Sequence, residues 1–80
     1  MTTALLLEEI RVTRALPSPD EARAIREAAG VSKRRLAREL GVHEYTLARW
    51  ERGDFHPNSR SLRRYVELLA ALKAEAGASS

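Results

Sequence analysis

The 80-residue sequence has no cysteine, one tryptophan, two tyrosines and one phenylalanine. Without cysteine there is neither a disulfide framework nor a thiolate metal site, and the chain suits a reducing cytoplasm. No run approaches the roughly 18 apolar residues a membrane-spanning helix needs. The apolar stretch Ala4–Leu7 is too short, and Glu8-Glu9 beside it too acidic, for the core of a secretion signal. The expectation is a soluble cytoplasmic protein with no membrane contact. His43 and His56 are the only histidines, so no metal and no cofactor are expected. His43-Glu44 opens a zinc-protease pattern, but its second histidine would fall at position 47, where Leu47 stands. One small domain also leaves little room for a catalytic cleft, so neither an enzyme nor a small-molecule substrate is expected.

Charge is what the chain has in quantity. Between Ser32 and Arg64 nine bases face four acids, a local balance of +5; elsewhere five bases face seven acids, or −2. A basic block within a folded segment fits a polyanion partner, and equally a solvated arginine-rich helix surface.

The periodicity predicts an all-α chain, a bundle of about five helices. Residues 4–16 read as a helix with Leu6, Ile10 and Thr13 on one side, or as a strand around Ile10–Thr13, where Ile10 and Val12 alternate with polar neighbours. Pro17-Ser18-Pro19 ends that element. Ser18 can then cap a second helix, with Pro19 at its first position and Glu21 completing a Ser-x-x-Glu capping box. It runs to about Ala29, turns Ala22, Ile25 and Ala29 inward, and closes at Gly30. Ser32 caps a third helix with Leu36, Ala37 and Leu40 inward, which Gly41 stops. A fourth runs from about Glu44 to Arg52 behind His43, and Gly53 ends it. After a loop at Asp54–Ser59, a fifth runs from about Arg60 to Ala74 with Leu62, Val66, Leu69 and Leu72 on one stripe. Three parts follow: an N-terminal extension at 1–16, a helical domain at 17–75, and a flexible tail at 76–80.

The third and fourth helices, joined by the short turn Leu40-Gly41-Val42-His43, describe a helix-turn-helix. Val42 and Leu47 can both reach the core and hold the pair at a fixed angle. The run IREAAGVSKRRLARELGVHEYTLARWERGDFHP closely resembles the repressor-like helix-turn-helix domains of the Cro/C1-type (XRE-like) family. The resemblance lies in the arginine of the first core helix, Gly-x-Ser before the next, Leu-Ala, Gly-Val in the turn, and Trp-Glu-x-Gly closing the recognition helix. It covers roughly residues 19–72 and is similar to small actinobacterial or phage regulators.

That resemblance implies a sequence-specific regulator of double-stranded DNA, with the helix at 44–52 in the major groove. Carried over position by position, the base-facing residues are Glu44, Tyr45, Thr46 and Arg49. Arg49 can donate twice to guanine, and Glu44 can accept from the amine of cytosine or equally serve as a first-turn acid that the helix dipole favours. Phosphate contacts fall to Ser32 and Lys33 at a helix start, where amides and dipole favour an anion, and to Arg34, Arg38 and Arg60. His43 replaces the usual serine or threonine cap; protonated, it would contact a phosphate, and otherwise it is a plain surface histidine. Arg26 and Glu51 take positions that form an interhelical ion pair in similar proteins. Trp50 packs against the last helix. A homodimer through the N-terminal segment or through Tyr65, Leu68 and Leu72 is a further expectation. The alternative is a protein-interaction module, or an excisionase-like or antitoxin accessory factor, that uses the same fold.

Overall fold

Three short polar side chains mark where helices begin. Ser18 Oγ accepts from the Glu21 N–H at 3.1 Å, Ser32 Oγ from the Arg35 N–H at 3.1 Å, and Asn58 Oδ1 from the Ser61 N–H at 2.9 Å. Each satisfies an amide the helix cannot, and is worth about 1 kcal/mol. The computed structural model describes residues 3–78. Its helices are α1 (Thr3–Ala15), α2 (Pro19–Ala28), α3 (Lys33–Leu40), α4 (Glu44–Arg52) and α5 (Ser59–Ala78). The chain is thus all-α among the described residues, as its periodicity predicts.

Helix α5 overruns its expected end. Ala76, Gly77 and Ala78, assigned above to a flexible tail, are its last residues. The alanines around Lys73 and Glu75 favour helix strongly enough to carry a glycine that costs about 1 kcal/mol. The final two residues of that tail lie outside those described, as do the first two of the extension.

The N-terminal segment is a helix, not a strand. A strand there would have no neighbour to pair with, leaving its N–H and C=O groups unsatisfied, whereas a helix satisfies them internally. The side that carries Leu6, Ile10 and Thr13 faces solvent. Leu6 and Ile10 are 55% and 38% exposed, and exposed Thr13 turns its hydroxyl to the Glu9 carbonyl at 2.8 Å. Instead Leu5, Glu8 and Val12 line a cleft with Ser59, Leu62 and Arg63 of α5. Glu8 pairs there with Arg63, and Val12, half-buried, lies on that same side.

The core is drawn evenly from the other four helices. Ala22 and Ile25 come from α2, Leu36 and Ala37 from α3, Leu47 and Trp50 from α4, and Tyr65 and Leu69 from α5. Leu16, Val31, Leu40, Val42, Leu68 and Leu72 pack around it. Tyr65 therefore does not belong to a dimer surface: it is 2% exposed and its ring meets that of Trp50, centroids 5.1 Å apart at 45°. Leu68 and Leu72 beside it are likewise turned to the core. The one-residue offset between the stripe at 62–66–69 and Tyr65 arises because 65, 69 and 72 share a face at helical spacing equally well.

The Tyr65 hydroxyl is buried and meets no hydrogen-bond partner among the described residues. Burial pushes its pKa up to about 12, with Glu51 adding to the rise and Arg26 opposing it. Above pH 10 the unfolded chain loses this proton while the folded chain keeps it. Folding stability should therefore fall as pH rises from about 10 to about 12, by roughly 1.4 kcal/mol per unit. Tyr65→Phe should abolish that slope and melt at or above the wild-type temperature at neutral pH, because an unsatisfied polar atom is removed. Thermal melts across the alkaline range check both; a Phe variant several degrees less stable would reveal a partner for the hydroxyl.

Candidate nucleic-acid interface

The angle between α3 and α4 is set by one glycine and two aliphatic residues. Gly41 closes α3 at φ +72°, a left-handed backbone that side chains with a Cβ resist. Its N–H reaches the Arg38 carbonyl at 3.2 Å, and the Val42 N–H reaches that of Ala37 at 3.0 Å. The chain reverses within this turn, Val42 packs on the core, and Leu47 is 0% exposed one turn into α4. With Leu47, Trp50 and Glu51 committed inward, helical spacing turns Tyr45, Ala48, Arg49 and Arg52 to the opposite face.

The buried end of α4 is tied down by charge. Arg26 of α2 meets Glu51 through two hydrogen bonds, Nε to Oε2 at 2.7 Å and Nη2 to Oε1 at 2.9 Å. Its third donor, Nη1, reaches the Val31 carbonyl at 2.9 Å. Both residues are buried. The Glu51 hydrogen bond raises the Arg26 pKa above its ordinary value, against the desolvation that lowers it. The expected interhelical pair thus exists as a bidentate one and bears on the fold through α4.

The outward faces of α3 and α4 meet in a polar groove. Ser32, Lys33 and Arg34 line it from the start of α3, Glu44, Ala48, Glu51 and Arg52 from α4, and Arg23, Arg26 and Glu27 from α2. Of the positions expected to touch phosphate, Ser32, Lys33 and Arg34 are brought together here beside Glu44. His43, Arg38 and Arg60 are exposed and stand away from the groove. His43 occupies the cap position of α4 in an extended backbone but makes no side-chain capping bond. Its imidazole is thereby left facing solvent.

The remaining expected base-facing positions gather on the other side of α4. Thr46 and Arg49 border a hollow shared with Phe55, His56 and Asn58, while Tyr45 is 64% exposed. The Arg49 guanidinium lies 3.5 Å from the centroid of the Phe55 ring and 5.4 Å from that of Tyr45. Cation–π contacts of this kind contribute about 0.5–1 kcal/mol at exposed sites. Phe55 escaped the sequence reading because it stands in a loop, where no periodicity marks an orientation. Its signal was the placement of the sole phenylalanine two residues after the glycine that ends a helix. Ala48 and Arg52 were also missed, although they share a face with Tyr45 and Arg49 at i, i+3, i+4 and i+7.

Chemically, the surface offers planar and point-charge donors, a carboxylate, a hydroxyl and exposed aromatic edges, the groups used on base edges and phosphates. Among the described residues no helix is long and apolar enough to cross a membrane. A family profile described as Helix-turn-helix matches residues 23–72, more than half of the chain. No curated protein and no solved structure matches the sequence. The turn at Gly41, the inward Leu47 and Trp50 and the matched span agree: the chain belongs to the Cro/C1-type (XRE-like) helix-turn-helix family of DNA-binding domains.

Proposed function

We propose that the protein is a sequence-specific, double-stranded DNA-binding transcriptional regulator of the phage-repressor-like kind, with α4 in the major groove. The observation that carries this reading is that α4 presents Glu44 and Ala48 to the groove at the basic start of α3 on one side, and Thr46 and Arg49 on the other. Arg49, Glu44, Tyr45 and Thr46 read base edges, while Ser32, Lys33, Arg34, Arg38, His43 and Arg60 meet phosphates. The reading is supported by the family, by the local excess of base over acid, and by the accessibility of those side chains, all exposed except the half-buried Thr46 and Arg49. Glu44 in a basic groove repels phosphate, so its place is opposite the amine of a cytosine.

The chain acts as a homodimer joined through α1. Leu5, Leu6, Leu7 and Ile10 are each more than a third exposed there, and no α1 residue is buried. Two subunits place two copies of α4 about one helical turn of DNA apart, so the target is a palindrome.

Selection from a random duplex library, followed by mobility shifts at two salt concentrations, tests the proposal. Arg49→Ala should relax preference at one base pair, at a cost of about 1–3 kcal/mol, while Lys33→Ala should weaken all sequences alike and lower the salt slope by about one. Indiscriminate binding by the wild type would rule out the specific-regulator reading. The exposed leucines of α1 also fit a second reading, a protein-interaction module on the same scaffold. Failure to bind any duplex, together with a defined protein complex that Leu6→Glu disrupts, would favour it.

A further inference from the structure

Phe55 has none of the roles assigned above, yet the structure delivers it with care. Gly53, at φ +81°, folds the chain back over the last turn of α4. Its N–H reaches the Trp50 carbonyl at 3.1 Å, and the Asp54 N–H reaches the Arg49 carbonyl at 3.0 Å. Arg52 Nε donates to Asp54 Oδ2 at 3.0 Å and braces the turn from the side. The next residue is Phe55, and its ring covers the Arg49 guanidinium at 3.5 Å. At that separation two planar groups fit only near parallel, because an edge-on N–H would collide with the ring. The ring remains 51% exposed, so an apolar face is presented at the surface beside Arg49.

A parallel stack has a consequence for base reading. An arginine donating to both O6 and N7 of guanine lies in the plane of that base pair. A ring 3.5 Å from its guanidinium then stands one step along the duplex, since successive bases are about 3.4 Å apart. In the major groove the apolar group available at that level is the methyl of thymine. We infer that Phe55 is a specificity-determining residue with two effects. It holds the Arg49 guanidinium in the reading plane, and it packs on the thymine methyl of the base pair next to the guanine that Arg49 contacts. The inference rests on α4 reading DNA as proposed above. The recognised unit is therefore a guanine with a neighbouring thymine.

The test begins by selecting duplexes with the wild type and with Arg49→Ala. The position whose preference relaxes identifies the guanine, and a thymine is expected at a pair beside it. Fluorescence anisotropy then compares that duplex with one carrying uracil for the thymine, which removes only the methyl. The wild type should bind the uracil duplex roughly fourfold more weakly, the value of one buried methyl group. Phe55→Ala should bind both duplexes equally and weakly, and discriminate guanine less well. Phe55→Leu should keep part of the methyl sensitivity while losing guanine discrimination, which separates the contact from the stack. Thermal melts of both variants should stay close to wild type, since the ring is half exposed. Equal wild-type affinity for thymine and uracil duplexes, or no thymine beside that guanine, overturns the inference and leaves DNA reading by α4 intact. Absence of any selected sequence overturns both.

Discussion

Replacing Glu51 by alanine should destabilise the fold by about 3–5 kcal/mol, because it strands the Arg26 guanidinium in the interior without its counter-ion. Arg26 and Glu51 are 7% and 8% exposed where they border the groove, so water can replace few of the lost hydrogen bonds. A domain of this size has roughly 4–12 kcal/mol in total, so the variant should be marginal or unfolded at 37 °C. At about 4–8 °C per kcal/mol for domains in this size range, its melting temperature should fall by well over ten degrees. Trp50 is the only tryptophan and sits one residue away in the core, so its fluorescence should shift towards that of a solvated indole. The converse is as informative. Removing both charges, as Arg26→Leu with Glu51→Leu, should cost far less than either single change, since no uncompensated charge is then buried. It should not be free of cost, because Arg26 also donates to the Val31 carbonyl at 2.9 Å, which would lose its partner. A Glu51→Ala variant with wild-type stability would mean that solvent reaches the pair.

Leu47→Ala should cost about 2–5 kcal/mol, the range for truncating a fully buried leucine. Leu47 is 0% exposed and joins the core from the first turn of α4. The other α3 and α5 members of its core cluster, Leu36, Ala37, Tyr65 and Leu69, are held by their own helices, which places the cost in the upper part of that range. DNA affinity should fall with stability, because Leu47 sets how α4 stands on α3 and hence whether Arg49 and Lys33 reach one duplex together. Leu47→Met, which conserves volume, should cost less than about 1.5 kcal/mol. Urea unfolding of both variants, followed through Trp50, checks the pair of values. Equal stability of the Ala and Met variants would show that the α3–α4 junction rearranges around the void.

The two variants separate architecture from reading. Both act on residues that touch no DNA under the proposed mode of binding, whereas Arg49→Ala removes a reading group and leaves the buried core in place. A loss of specificity at unchanged melting temperature is therefore the mark of the reading face.

Much of this was legible in the chain because short-range chemistry writes it locally. Ser18, Ser32, Gly41 and Gly53 act within four residues of themselves, so the limits of α2, α3 and α4 could be read to within a residue or two. The Leu-Ala pairs and Trp50 have one helical face to occupy, and the wheel left Tyr45 and Arg49 outside. Recognition of the family rested on the same local residues, and the matched span agrees with it.

Other features depended on contacts between residues far apart in sequence. Which side of α1 lies on α5 involves contacts such as Glu8 with Arg63, fifty-five positions away, which local periodicity does not contain. Tyr65 read as surface because a tyrosine can end in water; Trp50 from another helix drew it into the core. Phe55 had no periodicity to interpret until the turn at Gly53 brought it back over Arg49. The limits of α2, α3 and α4 and the turns between them follow from hydrogen bonds a few residues long, and for those the sequence of this protein was sufficient. The facing of α1, the burial of Tyr65 and the stack on Arg49 are set by packing between separate elements, so only the tertiary structure decided them.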